Sequence, residues 1–252
     1  MKTRATRRRA AAVGSARQPI IPLRVRPLLE RIGRIASAER TSAYAVGGCV
    51  RDWCLGVASV TDLDVTAEGD GIAVAKAVAR ALGGTVEAHA QFGTATVRLT
   101  RRTGRGIDFA SCRREVYVRP GAYPNVSAGT LEDDLCRRDF TINAMAVALA
   151  PDRFGRLVDP FRGRDDLSRR LLRILHGRSF LDDPSRILRG IRLAARFDLR
   201  WEPDTARALR EAVAAGALSW LNAGRLRKEL DRMLDEPDPR ACLVSFASVL
   251  GA

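Results

Sequence analysis

Two aspartates one residue apart, Asp62 and Asp64, follow the glycine-containing run Val46-Gly47-Gly48-Cys49-Val50-Arg51-Asp52. On a strand, side chains at i and i+2 share a face, so both carboxylates can hold hard cations while Leu63 turns the other way into a core. Glycines let the backbone approach an anion closely, and Arg51 offers a planar fork of donors to phosphate oxygens. Metal-binding carboxylates beside an anion loop suit phosphoryl transfer, with a nucleoside triphosphate as the ligand that needs both. An isolated Asp-x-Asp is more often an exposed loop, so the reading depends on what else the chain carries.

Three further segments bear on it. Leu131 to Ala146 joins Arg137 and Arg138 to Asp139 and Asn143 on what reads as an amphipathic helix. Arg138 is suited to gripping a triphosphate, and Asp139 and Asn143, one turn apart, to a ribose hydroxyl, although a salt-bridged helix start has the same composition. In Leu181-Asp182-Asp183-Pro184-Ser185-Arg186-Ile187-Leu188-Arg189-Gly190-Ile191-Arg192, the proline starts a helix. Arg186, Arg189 and Arg192 recur every three residues on one basic face, with Asp183 a turn earlier; an acid-then-base helix satisfying its dipole reads the same way. Leu157 to Gly163 reads as a turn.

The elements that must position these residues are a sheet followed by helices. Helical spacing covers 27–38, strands are expected at 43–46 and 62–66, and Asp70 caps a helix that stops at Gly83-Gly84. Strands follow at 86–90, 94–99 and 106–110, the last bringing Asp108 out of an apolar run. From Leu131 the signals turn helical, over 135–150, 183–197, 204–215 and 224–234, with one further helix at 243–250. The expected fold is α+β: a mixed-sheet head over 27–165 and an all-helical neck over 166–252, behind a basic arm over 1–26.

The chain has 252 residues, 46% of them hydrophobic, which is ample for a core. A net charge of +14 favours a polyanionic partner, nucleic acid before membrane, since no apolar stretch is long enough to span a bilayer. Five cysteines without a Cys-x-x-Cys pair, and only two histidines, argue for reduced thiols in a cytoplasmic setting rather than for a zinc site. The acid-free arm shares its composition with organelle transit peptides but lacks their amphipathic periodicity.

In order and spacing, these segments resemble the class II tRNA nucleotidyltransferases and their bacterial poly(A) polymerase relatives. The resemblance runs from Gly47-Gly48-Cys49-Val50-Arg51-Asp52 with Gly56 and Asp62-Leu63-Asp64, through Arg137-Arg138-Asp139-Phe140-Thr141-Ile142-Asn143-Ala144-Met145-Ala146 and Asp159 to Gly163, to Asp183-Pro184-Ser185-Arg186-Ile187-Leu188-Arg189 and Arg192 to Phe197. It implies a nucleotidyltransferase-fold head, a helical neck, and addition of CMP and AMP from CTP and ATP to tRNA 3′ ends. It further implies that Asp62 and Asp64 bind Mg²⁺, with Asp108 as a third carboxylate. Gly48, Arg51 and Arg138 would hold the triphosphate, and Asp139 and Asn143 would lie near the ribose. Asp183 and Arg186 would read the base edge, supported by Arg189 and Arg192. The segment Arg113 to Gly129 resembles the family's flexible loop, which leans toward full CCA addition, while the family's body and tail domains are not represented. Poly(A) synthesis, A-only or CC-only addition, and non-catalytic RNA binding are the alternatives.

Overall fold

The computed structural model describes residues 19–57, 62–100 and 106–251. Residues 1–18 of the expected arm lie outside the described residues, but 19–26 are folded onto the head rather than free. The Ile20 N–H donates to the Trp53 carbonyl (3.2 Å), Val25 is buried, and helix α1 (Arg26–Ala38) starts within this stretch. The chain continues through β1 (Ser42–Val46), α2 (Gly48–Cys54), β2 (Leu63–Glu68), α3 (Gly71–Leu82), β3 (Gly84–His89), β4 (Thr94–Leu99) and β5 (Ile107–Ser111). A two-stranded hairpin, β6 (Arg113–Val116) and β7 (Asn125–Ala128), occupies the segment read as a flexible loop. Then come α4 (Leu131–Cys136), β8 (Ala146–Ala148) and β9 (Leu157–Val158). The last part is largely helical: α5 (Gly163–Ser168), β10 (Leu171–Leu172), α6 (Ser179–Asp182), α7 (Ser185–Phe197), β11 (Arg200–Trp201), α8 (Pro203–Ala214), α9 (Ala223–Leu234) and α10 (Pro239–Leu250).

Among the described residues, seven strands form one mixed sheet in the order β3-β4-β5-β2-β1-β8-β9. Within this sheet only β2 and β5 pair in parallel, with Asp64 opposite Asp108. The two-residue period of β2 sends Leu63, Val65 and Ala67 into the core beneath α1 and α3, and so turns Asp64 to the other face. The Asp70 carboxylate accepts from the Ile72 and Ala73 N–H groups, fixing the start of α3. Asp62 sits immediately before β2 rather than within it.

The helix expected over 135–150 is a correction. Helix α4 ends at Cys136, a 3₁₀ turn covers Thr141–Asn143, and β8 pairs with β1. Met145, Val147 and Leu149 enter the core under α1, while Ala144, Ala146 and Ala148 pack with Tyr44 and Leu135 on the other face. A strand buried on both faces reads as an unbroken apolar run, which hides its period of two. Pro184 likewise stands just before α7 instead of opening it.

Helix α7 is set against the head by aromatic packing. The rings of Phe140, Phe180 and Trp201 have centroids 6.2–6.3 Å apart. A Cβ on Gly190 would lie 2.4 Å from the Trp201 ring and 2.8 Å from Phe140, so only glycine lets α7 come this close. No helix among the described residues is long and apolar enough to cross a membrane.

Candidate active site

A cavity of about 1260 Å³ opens between the sheet and the helical part. Gly47, Gly48, Arg51, Asp62, Asp64, Arg138, Asp139, Asn143, Asp183, Arg186, Arg189 and Arg192 all line it. Asp108 lines a smaller adjoining recess of about 370 Å³ that shares Asp64 and Arg138 with the main cavity and has Thr94 and Thr96 in its wall. The structure therefore gathers side chains from β2, α2, the turn after α4 and α7 around one space.

The anion end begins where β1 leaves the sheet. Gly47 has φ +77°, a left-handed conformation that favours glycine, and donates its N–H to the Met145 carbonyl (3.1 Å); a Cβ there would lie 2.9 Å from the flexible end of Arg138, at Nη1. Arg138 donates to Asp134 (3.0 Å), while its buried Nε has no partner in the protein. A buried guanidinium N–H without an acceptor is costly, and a phosphate oxygen is the ligand that would satisfy it. Arg51 is more committed than its sequence suggests. It donates to Asp52 from Nε and Nη2 and to Asn143 from Nη1 (2.7 Å), and lies 4.4 Å from the Phe197 ring centroid.

Burial pushes the Asp64 carboxyl up to about 6, Arg138 pulls it down, and Asp108 and Asp62 add repulsion. Asp108 accepts a hydrogen bond from Thr96 Oγ1 at 2.6 Å. Mutually repelling carboxylates with only hard oxygen donors fit a divalent cation such as Mg²⁺. Among the described residues, no three acidic, histidine or cysteine side chains converge closely enough to hold an ion unaided. Mg²⁺ commonly takes one or two carboxylates and completes its shell with substrate phosphates and water.

Asp139 and Asn143 meet in the turn after α4, not on a helix. Asp139 accepts from the Phe140 N–H (2.8 Å), Asn143 Nδ2 (3.1 Å) and Arg189 Nη1 (3.1 Å). Burial raises its carboxyl, but the Arg189 charge and these hydrogen bonds outweigh that and hold it below the usual carboxylate range. Asp183 Oδ1 accepts from the Ser185 N–H (3.0 Å), from Ser185 Oγ (2.6 Å) and from Arg225, leaving Oδ2 3.9 Å from Arg186 Nε. Arg186 is buried and donates to Ser179 Oγ (2.6 Å) and the Arg137 carbonyl (2.7 Å). Arg189 and Arg192 face the cavity but are matched by acids: Arg189 by Asp139 and Glu229, Arg192 by Glu236 (2.9 Å).

Among the cavity-lining residues that the sequence did not single out are Glu115 and Tyr117 of the hairpin, Tyr123 at its tip, and Arg225 of α9. The Glu115 side chain is largely covered and accepts from Arg113, Tyr117 and Arg137, tying the hairpin to the arginine pair. Only tertiary folding brings these groups together, so no local spacing announces them.

Residues 43–173 match the Poly A polymerase head domain. An A-adding tRNA nucleotidyltransferase of Halalkalibacterium halodurans is 44% identical over 214 residues, which is 84% of this chain and 49% of that protein. A CC-adding tRNA nucleotidyltransferase of Deinococcus radiodurans is 41% identical over 85% of this chain and 55% of its own length. Among solved structures, an apo form of a CCA-adding enzyme superimposes with a TM-score of 0.85 and 39% identity, covering 91% of this chain and 54% of that one. The chain spans about half the length of the curated relatives it matches.

Proposed function

The chain belongs to the Poly A polymerase head-domain family, and on that premise we propose that it adds nucleotides to the 3′ end of tRNA without a nucleic-acid template. The observation that carries the reading is the joining, in one cavity, of Asp62 and Asp64 at the sheet, Arg138 with an unsatisfied buried Nε, and the Asp183–Arg186 pair on the helical side. These are the groups needed to hold a triphosphate, position its α-phosphorus and inspect its base.

In this reading Arg138 and the Gly47-Gly48 turn hold the triphosphate, and the Asp139–Asn143 pair lies beside the ribose. Asp183 Oδ2 accepts from the exocyclic amine that cytosine and adenine share, while Arg186 donates to the ring. Asp62 and Asp64 would hold Mg²⁺, with Asp108 beside them. When bound, the metal supplies charge neutralisation at the α-phosphate and a more acidic primer 3′-hydroxyl. The 3′-oxygen bonds to phosphorus as pyrophosphate leaves. Arg189 is assigned to bracing α7 against Asp139 and Glu229; Arg192 is braced by Glu236 through Nη1 and keeps a buried Nε, like that of Arg138, that a phosphate oxygen would satisfy. Free thiols at all five cysteines are compatible with a cytoplasmic setting.

The product we propose is CMP and AMP addition from CTP and ATP. A second reading, AMP alone, is favoured by the A-adding relative at 44% identity. Purified protein given tRNA lacking its 3′ end, or tRNA already ending in CC, with Mg²⁺ and labelled ATP, CTP or both, separates them. Incorporation of both nucleotides supports CCA addition, and AMP incorporation only onto tRNA already ending in CC supports the A-adding reading. A protein that binds tRNA but transfers no nucleotide contradicts both.

A further inference from the structure

The tip of the hairpin, Arg119-Pro120-Gly121-Ala122-Tyr123-Pro124, is moored to the helical part. The Gly121 N–H donates to the Leu181 carbonyl at 3.0 Å, and a Cβ on Gly121 would lie 2.9 Å from the Cβ of Trp220. Asn222 Nδ2 donates to the Tyr123 hydroxyl at 3.5 Å, and the Arg225 guanidinium lies 5.7 Å from the Tyr123 ring centroid. Despite these anchors Tyr123 is 73% exposed, and it lines the main cavity.

Packing does not account for this residue, since the ring buries little and belongs to neither apolar core. A ring held in solvent beside a guanidinium, on a tip bracketed by two prolines, is the arrangement on which single-stranded RNA bases stack. Arg225 also hydrogen-bonds Asp183, so a base on Tyr123 would lie one guanidinium away from the residue assigned to the incoming base. The ring's exposure suits a base that arrives from solvent rather than a nucleotide enclosed in the cavity.

We propose that Tyr123 is a stacking platform for the unpaired 3′-terminal base of the RNA primer, with Arg225 supporting the ring. The proposal rests on the reading that RNA is the acceptor.

The test uses a primer RNA whose 3′-terminal base is 2-aminopurine, with wild type, Tyr123→Ala and Tyr123→Phe. Wild type should quench the fluorescence. Tyr123→Ala should lose the quench and raise primer KM roughly fivefold to a hundredfold, the range set by one base–aromatic stack. Tyr123→Phe should retain both, and nucleotide KM should carry little of the effect. Because the side chain is exposed, Tyr123→Ala should melt with wild type. A quench and primer KM unchanged in Tyr123→Ala would overturn the platform, as would an increase confined to nucleotide KM. If wild type quenches the primer but transfers nothing, stacking stands and the transfer reading fails; transfer that is indifferent to Tyr123→Ala refutes the platform alone.

Discussion

Asp64 holds a half-buried carboxylate beside two other acids, with Arg138 as the opposing charge. A group placed at such electrostatic cost serves something other than stability, so Asp64→Asn should abolish nucleotide addition while melting at or above the wild-type temperature in metal-free buffer. Substantial activity in that variant, or a large loss of stability, would contradict the assignment. Asp139 behaves oppositely. Its carboxyl is held below the ordinary value of 3.8, so its contribution is present above that pH and is lost as pH falls through the depressed folded-state value. Denaturant titrations should show Asp139→Asn less stable than wild type at pH 7, because Arg189 loses a buried partner, with the gap closing below pH about 4. A gap of constant size across that range would refute the linkage. That Asp62, Asp64 and Arg138 belong to one polar site was legible as an expectation, because carboxylate spacing and arginine placement are local signals, and all three line the same cavity. The commitments of Arg51 to Asn143, and of Arg189 to Glu229, were not, since each partner is remote in sequence.

At the scale of elements, α7 is the piece whose placement decides where Asp183 and Arg186 sit. Gly190→Ala would gain about 1 kcal/mol of helix propensity, but its Cβ meets two packed rings that cannot both retreat. We expect net destabilisation of about 1–3 kcal/mol in denaturant midpoint measurements, together with slowed addition. A stabilised variant would show that the aromatic contact does not set this helix. Helices with polar outer faces, such as α3 and α7, were readable from periodicity and punctuation. Strand β8 was not, because Ala146-Val147-Ala148 is buried on both faces and no polar residue marks the alternation. The hairpin escaped for a related reason: β7 is exposed throughout, so no inward-outward pattern betrays it.

For the molecule as a whole, the charge of +14 and the six cations among residues 1–18 predict a salt-sensitive grip on RNA. Deleting 1–18 should weaken tRNA binding and flatten the slope of log Kd against log salt; an unchanged slope would detach the arm from RNA. Deletion to residue 26 is the poorer experiment, because it removes buried Val25 and the start of α1. The sheet-then-helices order was legible from composition and spacing, whereas the cavity uniting them is lined by residues more than a hundred positions apart, such as Asp64 and Asp183. If protein side chains in this cavity choose the nucleotide added to RNA, single-turnover incorporation of ATP, CTP, UTP and GTP onto tRNA will differ in its ratios between wild type and Asp183→Ala. Wild type should take ATP, CTP or both and reject the other two, and the variant should lose roughly tenfold to a hundredfold of that discrimination as a buried acceptor is removed. No incorporation by wild type, or nucleotide ratios unchanged in Asp183→Ala, would contradict it.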